Sequence, residues 1–306
     1  VKQYLVRRVI LAIPSLLAVT ALIFLALRSV PGDPAVLLAG DFATPETVAA
    51  IRAKWGLDQP VLTQYGVFLA NLVRGDLGRS IVSDLEVSDE IGQRFRVTLV
   101  LAFAAIGVAL AIGVTAGVLG ATRSYSLWDY GSMVVAMLGV STPIFWSGML
   151  LILLFAVMLG WLPSGGAGSW DSFVLPAVSL GFFAAGIIAR QTRSSLLDVL
   201  RQDYVRTARA KGLPNPRVAL RHALRNALIP VVTVVGLEFG RMLGGAILTE
   251  TVFSLPGLGS FLITAIAKRD YPVVQGIVLW LAVVFVVINM LVDLAYAALD
   301  PRIRHA

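Results

Sequence analysis

The chain contains no cysteine, which excludes disulfides, thiolate metal sites and cysteine nucleophiles. Histidine is nearly absent as well. His222 and His305 are the only two, and neither belongs to an HExxH or to any other metal or nucleophile constellation. No Gly-x-x-x-x-Gly-Lys-Ser/Thr phosphate loop occurs, so the chain is not expected to bind ATP itself. Charge is scarce: Asp, Glu, Lys and Arg make up 14% of the 306 residues, against about 25% in soluble domains. What fills the space is apolar. Hydrophobic residues reach 58% and mean hydropathy is +0.84, so the sequence reads as an all-α, polytopic membrane protein. Its 28 glycines and 14 prolines fit, since membrane helices tolerate both. The net charge of +7 does not point to nucleic acid, because the basic residues sit in loops beside apolar runs, where orientation in a bilayer accounts for them.

A span needs about 20 apolar residues. The qualifying runs are 9–27, 97–122, 130–170, 172–189 and 271–292, with 226–249 interrupted only by Glu238 and Arg241. Lys2, Arg7 and Arg8 precede the first run, which has no clear cleavage site and reads as a retained signal-anchor. The run 130–170 is long enough for one span with an exit loop or for two tight spans. Charge decides. With one span there, the N-terminus, 123–129, 190–225 and the C-terminal tail share a face carrying fifteen basic residues, while the other face carries nine. The positive-inside rule then favours six spans with both termini cytoplasmic. The predicted organisation is residues 1–28 as tail and first helix, 29–96 as an extracytoplasmic cap, and 97–306 as a five-helix core with a cytoplasmic loop at 190–225. Within the cap, turn signals fall at Pro31–Pro34, Asp41–Pro45 and Gly75–Gly78. Thr44 or Thr47 is placed to cap a helix ending before Gly56, and a second helix is expected around Val61–Leu72. The cap either binds a partner or simply packs over the external face.

The loop 190–225 has nine basic residues and two acids, Asp198 and Asp203. From Ser195 to Ala210, Leu196, Leu197, Leu200, Tyr204 and Ala208 recur at helical spacing and predict one amphipathic helix. Arg201, Arg206 and Arg209 fall mostly elsewhere on the wheel. Gly212 is a C-terminal stop, Pro214 and Pro216 prevent simple continuation, and a basic stretch Arg217–Arg225 leads into the fifth span. Such a loop either rests on anionic headgroups or offers a short helix to a partner's groove.

The segment Tyr204-Val205-Arg206-Thr207-Ala208-Arg209-Ala210-Lys211-Gly212 resembles the cytoplasmic loop of permease subunits of ATP-binding-cassette importers. There the motif runs Glu-Ala-Ala, three residues, Gly. Arg206 and Thr207 occupy the Glu and first Ala places, while Ala208 and Gly212 match. Leu224-Arg225 stands where the general motif has Leu-Pro, with a proline only at Pro230. These departures are similar to the B-type branch for dipeptides, oligopeptides and nickel. So are Val30-Pro31-Gly32-Asp33-Pro34-Ala35, Gly56-Leu57-Asp58-Gln59-Pro60, Gly75-Asp76-Leu77-Gly78 and Ser141-Thr142-Pro143. Further along come Phe253-Ser254-Leu255-Pro256-Gly257-Leu258-Gly259, Arg269-Asp270-Tyr271-Pro272 and Asp300-Pro301-Arg302-Ile303-Arg304. Gly160-Trp161-Leu162-Pro163 with Ser169-Trp170 is most similar to dipeptide and glutathione permeases.

The resemblance implies the type I importer permease fold in a bacterial inner membrane, and alternating access driven from outside the chain. The implied partners are a second, C-type permease, two cytoplasmic ATPases that hold ATP and magnesium, an extracytoplasmic binding protein and the bilayer, with no nucleic acid and no cofactor in this chain. It implies an ATPase-coupling role for Asp203, Tyr204, Arg206, Thr207, Ala208, Arg209, Ala210, Lys211 and Gly212. Nickel or glutathione import by the same machinery is an alternative cargo. A proton-coupled peptide carrier is the rival class, and a receptor or scaffold without transport is a third. The rival carrier needs ionisable groups inside the bilayer. Glu238 and Arg241, three apart, either pair and fasten helices or line the path. Asp293 reads as an interfacial contact. Thr249, Glu250 and Thr251, near the external mouth, either meet cargo or the delivering protein, with Thr249 and Glu250 on the translocation path, or form an ordinary polar boundary.

Overall fold

The computed structural model describes residues 2–39 and 44–299. The turn signal from Asp41, the closing Asp300–Arg304 motif and His305 therefore lie wholly or partly outside the described residues. In order, the helices are α1 (Lys2–Ser29), α2 (Pro34–Ala39), α3 (Pro45–Lys54), α4 (Val61–Val73), α5 (Val87–Thr122), α6 (Leu127–Ser141), α7 (Ile144–Leu151), α8 (Val174–Leu200), α9 (Asp203–Ala210), α10 (Asn215–Arg217), α11 (Leu224–Val252), α12 (Leu258–Ala267) and α13 (Tyr271–Leu299). A π-helical stretch, Ile152–Met158, extends α7, and another, Val218–Ala223, joins α10 to α11.

Five helical stretches are long and apolar enough to cross a membrane: Ile10–Ser29, Val87–Thr122, Trp170–Leu200, Asn215–Val252 and Tyr271–Ala295. A sixth consists of Leu127–Ser141 and Ile144–Met158, bent by 104°. The bend lies within Ser141-Thr142-Pro143. Pro143 lacks an N–H and pushes its predecessor out of the helical region, and Thr142 is accordingly extended at φ −86°, ψ 126°. Several helices also outrun their charge-free cores. The fourth continues past Ala189 through Arg190 and Arg193, since charged side chains at a span's end reach a partner or water.

The chain forms two compact units. One joins residues up to Val97 with Pro256–Val286. In it, Phe24 of α1 is buried against the rings of Tyr65 and Phe68 on α4, at 4.9 and 6.3 Å between centroids. Arg28 lies over the Phe24 ring and donates two hydrogen bonds to Gln64 Oε1. Thr44 caps α3 by accepting from the Thr47 N–H. The exposed Glu46 carboxyl is held below the usual carboxylate range by its own backbone N–H and the Thr44 hydroxyl. Arg269 donates to the carbonyls of Pro31 and Gly32. Gly32 sits at φ +113°, and any side chain there would collide with that guanidinium.

Asp270, buried before α13, organises the neighbouring turn. Its carboxylate accepts from Ser80 Oγ at 2.5 Å and from the N–H groups of Ile81, Val82 and Val273 at 3.2–3.4 Å. Each buried donor left without its acceptor costs about 1–3 kcal/mol. Asp270→Ala is therefore expected to lower the Tm of the detergent-purified protein by several degrees, read by thermal-shift fluorescence.

The second unit joins Thr98–Leu255 with the remainder of α13 from Val287. Here α8 is central, packing chiefly on α11 and α6. The approach is close because the contact positions are small: a methyl on Gly181 or Gly186 would run into the carbonyl of Ala105 or Ala136. Between membrane helices, close backbone packing of this kind replaces the hydrophobic effect as the adhesive.

Candidate functional site

The helix foreseen over Ser195–Ala210 is two helices. The chain leaves α8 at Arg201, Gln202 adopts an extended conformation (φ −74°, ψ 151°), and α9 starts afresh at Asp203. This break resets the phase of the pattern. Tyr204, expected on the apolar face, is 40% exposed, and the inward position belongs to Val205, which is fully buried. Val205 and Ala208, three apart, seat α9 in a small core with Ala121, Leu196, Val199, Val218, Ala223 and Ala227. Asp203, Tyr204, Arg206, Thr207, Arg209, Ala210, Lys211 and Gly212 all remain exposed. Ala208 thus faces the chain's own interior and does not offer a surface for fit to a partner. An eight-residue helix is not stable alone, and the Val205 and Ala208 side chains are what hold it on the unit.

Side chains reinforce the seat. Asn226 donates to Tyr204 Oη at 2.8 Å, tying α9 to the start of α11. The Tyr204 hydroxyl also faces the His222 carbonyl at 3.4 Å. Thr207 Oγ1 donates to the Asp203 carbonyl, and Arg206 lies 3.5 Å from the Asp203 carboxylate. This exposed ion pair contributes little to stability. Gly212 closes the helix at φ +82°, with its N–H on the Arg209 carbonyl at 2.9 Å. That left-handed conformation is open to glycine without strain.

A clamp not foreseen from the sequence fixes the same end of the unit. Asp129, buried in the first turn of α6, receives two hydrogen bonds from Arg193 of α8: Nε to Oδ1 at 2.6 Å and Nη2 to Oδ2 at 2.7 Å. The Tyr125 N–H adds a third at 3.0 Å. The available signal was that Asp129 is the single acid on the short connection 123–129. The partner, 64 residues away, carries no local mark.

The residues singled out inside the spans are not brought together. Glu238 is buried and accepts from Arg241 Nη1 at 2.9 Å, while the Arg241 side chain remains 66% exposed. Glu250 lies twelve residues further along α11, roughly 18 Å at 1.5 Å per residue. It is fully buried and accepts a hydrogen bond from Thr98 Oγ1 at 2.6 Å. Thr249 is buried beside it, its hydroxyl unpartnered among the described residues, whereas Thr251 is exposed and bonds to the Ile247 carbonyl. Asp293 is half-buried in α13.

A chain with five or six apolar helices long enough to span a bilayer, and one short amphipathic helix seated against them, is a polytopic membrane protein. The chain belongs to the family of inner-membrane components of binding-protein-dependent transport systems: that family's model matches residues 97–305, and the model of the corresponding N-terminal region matches 1–102. It is an ABC importer permease subunit in the inner membrane. It is 46% identical over 303 residues to the glutathione transport system permease protein GsiC of Escherichia coli strain K12 and to that of Shigella dysenteriae serotype 1, with 99% of each chain covered. Two solved structures share the fold. The inward-facing MetNI methionine ABC transporter superposes with a TM-score of 0.56 at 19% identity, over 69% of this chain and 96% of that one. An amino acid ABC transporter crystallised with histidines gives 0.51 at 16% identity, over 70% and 94%.

Proposed function

We propose that this subunit lines one half of a path for glutathione or another short peptide, and that ATP hydrolysed by other subunits drives the transport. The observation that supports this cargo is the 46% identity running along 99% of both chains to a glutathione permease. In this reading both termini are cytoplasmic and residues 29–96 form an extracytoplasmic cap. A second permease subunit completes the path, and an external binding protein delivers the peptide. Two cytoplasmic ATPases, which carry the ATP and magnesium, engage the exposed residues of α9. Arg206, Arg209 and Lys211 give that face its charge, while Val205, Ala208 and Tyr204 hold it so that a push on α9 reaches the spans. Gly212 ends the helix at the contact.

Glutathione and peptides carry carboxylates together with an amine. Arg241 offers an exposed guanidinium on α11, and Glu238 holds its near side in place, so the pair suits a zwitterionic cargo. Thr249 and Glu250 would join the path only after the helices packed over them separate. The test is uptake of labelled glutathione into proteoliposomes that contain the complete importer. Accumulation is expected with ATP and binding protein present and should be absent with a pH gradient alone. Uptake driven by the gradient without ATP would overturn the reading in favour of a proton-coupled carrier, and no flux in either case would favour a scaffold.

A further inference from the structure

A groove of about 880 Å³ opens at the end of the second unit where α5, α8 and α9 terminate. Its floor is apolar, with Val118, Leu197, Leu200 and Leu220 among the lining residues. Its rim is basic. Arg123, Arg201 and Arg209 come from three different segments, and no acidic residue lines the groove. All three arginines are exposed, and none forms an ion pair with a carboxylate among the described residues. Of the nearby carboxylates, Asp129 is held by Arg193 and Asp203 meets Arg206 weakly, while exposed Asp198 precedes Arg201 by one helical turn and is absent from the groove lining.

We infer that this groove holds an anionic phospholipid, its phosphate among the three arginines and an acyl chain along the apolar floor. Three arguments favour a lipid. Val118 and Leu119 of the floor close the charge-free run of α5, so an acyl chain can reach the groove along that span. Three exposed aromatic side chains, Tyr125, Trp128 and Tyr130, follow the end of α5, and Trp and Tyr concentrate at headgroup level. Basic pockets between spans at a membrane surface select anionic headgroups by charge. The site requires only that this end of α5 and α8 meets a membrane surface, so it stands apart from the proposed cargo path, and it shares Arg209 with the proposed ATPase face of α9. Because Arg209 belongs to α9, an occupant touches the element that transmits motion.

The test uses the complete detergent-purified importer and native mass spectrometry with cardiolipin, phosphatidylglycerol or phosphatidylcholine added. Wild type should retain the two anionic lipids and not phosphatidylcholine. Each basic side chain near an anionic surface multiplies affinity about fivefold, so R123Q/R201Q should bind them about 25-fold more weakly, and R123K/R201K should restore binding. R217Q, outside the groove, should behave as wild type. Inorganic phosphate should not compete, which separates a lipid from a free anion. Equal retention of anionic lipid by wild type and R123Q/R201Q would overturn the inference. So would competition by inorganic phosphate, or loss of the ATPase subunits from the double variant, because the groove would then be an anion site or a protein contact.

Discussion

Val205→Asp is expected to reduce ATP-driven uptake to background while the protein still inserts and assembles. Val205 is fully buried in the small core beneath α9, and an isolated carboxylate there has no partner, so ionising it costs several kcal/mol. An eight-residue helix has no stability of its own to oppose that cost, and α9 should detach from α8 and α11. Ala208→Glu acts by the same route. Gly212→Pro reaches the same end differently, because proline cannot adopt φ +82°. Arg206→Ala, on the exposed face with only a weak partner at Asp203, leaves α9 seated and removes one charge from the proposed ATPase face, so uptake and ATP hydrolysis should fall together and stay coupled. Uptake and ATP hydrolysis measured in parallel distinguish unseating from misfolding: the unseated variants should hydrolyse ATP without transport. Wild-type uptake by Val205→Asp would remove α9 from the coupling mechanism.

Asp129→Ala should be the most damaging substitution for stability in the second unit. It leaves the Arg193 guanidinium without its bidentate acceptor, and breaking a buried pair by removing one member costs about 3–5 kcal/mol. The Arg193 side chain is 28% exposed and can recover some hydration, which puts the expected loss near the lower end, about 3 kcal/mol. Denaturation of the purified protein measures it. The neutral pair D129N/R193Q should recover a large part, since it leaves no unpaired charge. A single Asp129→Ala variant as stable as wild type would show that the α6–α8 junction does not depend on the pair.

The features legible in the sequence are those that a short window determines. Apolar runs located the spans, Thr44 marked the start of α3, and Gly212 marked the end of α9, because hydrophobic length, capping and left-handed backbone are local properties. The bend in the third span had its cause in plain sight at Pro143, but its angle of 104° depends on what α6 and α7 pack against. The phase of α9 was misread for a similar reason. Gln202 is a residue type tolerated inside helices, and nothing near it announces the extended conformation that moves Tyr204 outward and Val205 inward. Glu250 is legible as a carboxylate at the end of an apolar run, but its burial is not. Its burial against Thr98 depends on a helix 152 residues earlier. The Asp129–Arg193 clamp was invisible for the same reason.

The unbroken helical stretch Asn215–Val252 gives α9 mechanical leverage. Its 38 residues reach roughly 57 Å at 1.5 Å per residue, with Asn226 bonded to Tyr204 near one end and Glu250 bonded to Thr98 near the other. From Asn226 to Glu250 the rod is roughly 36 Å at 1.5 Å per residue, so a tilt of about 10° imposed where α9 is gripped would sweep Glu250 through roughly 6 Å. Displacement of that size exceeds the reach of a hydrogen bond. The Thr98–Glu250 contact would then act as a latch, released by force applied at the other end of the rod.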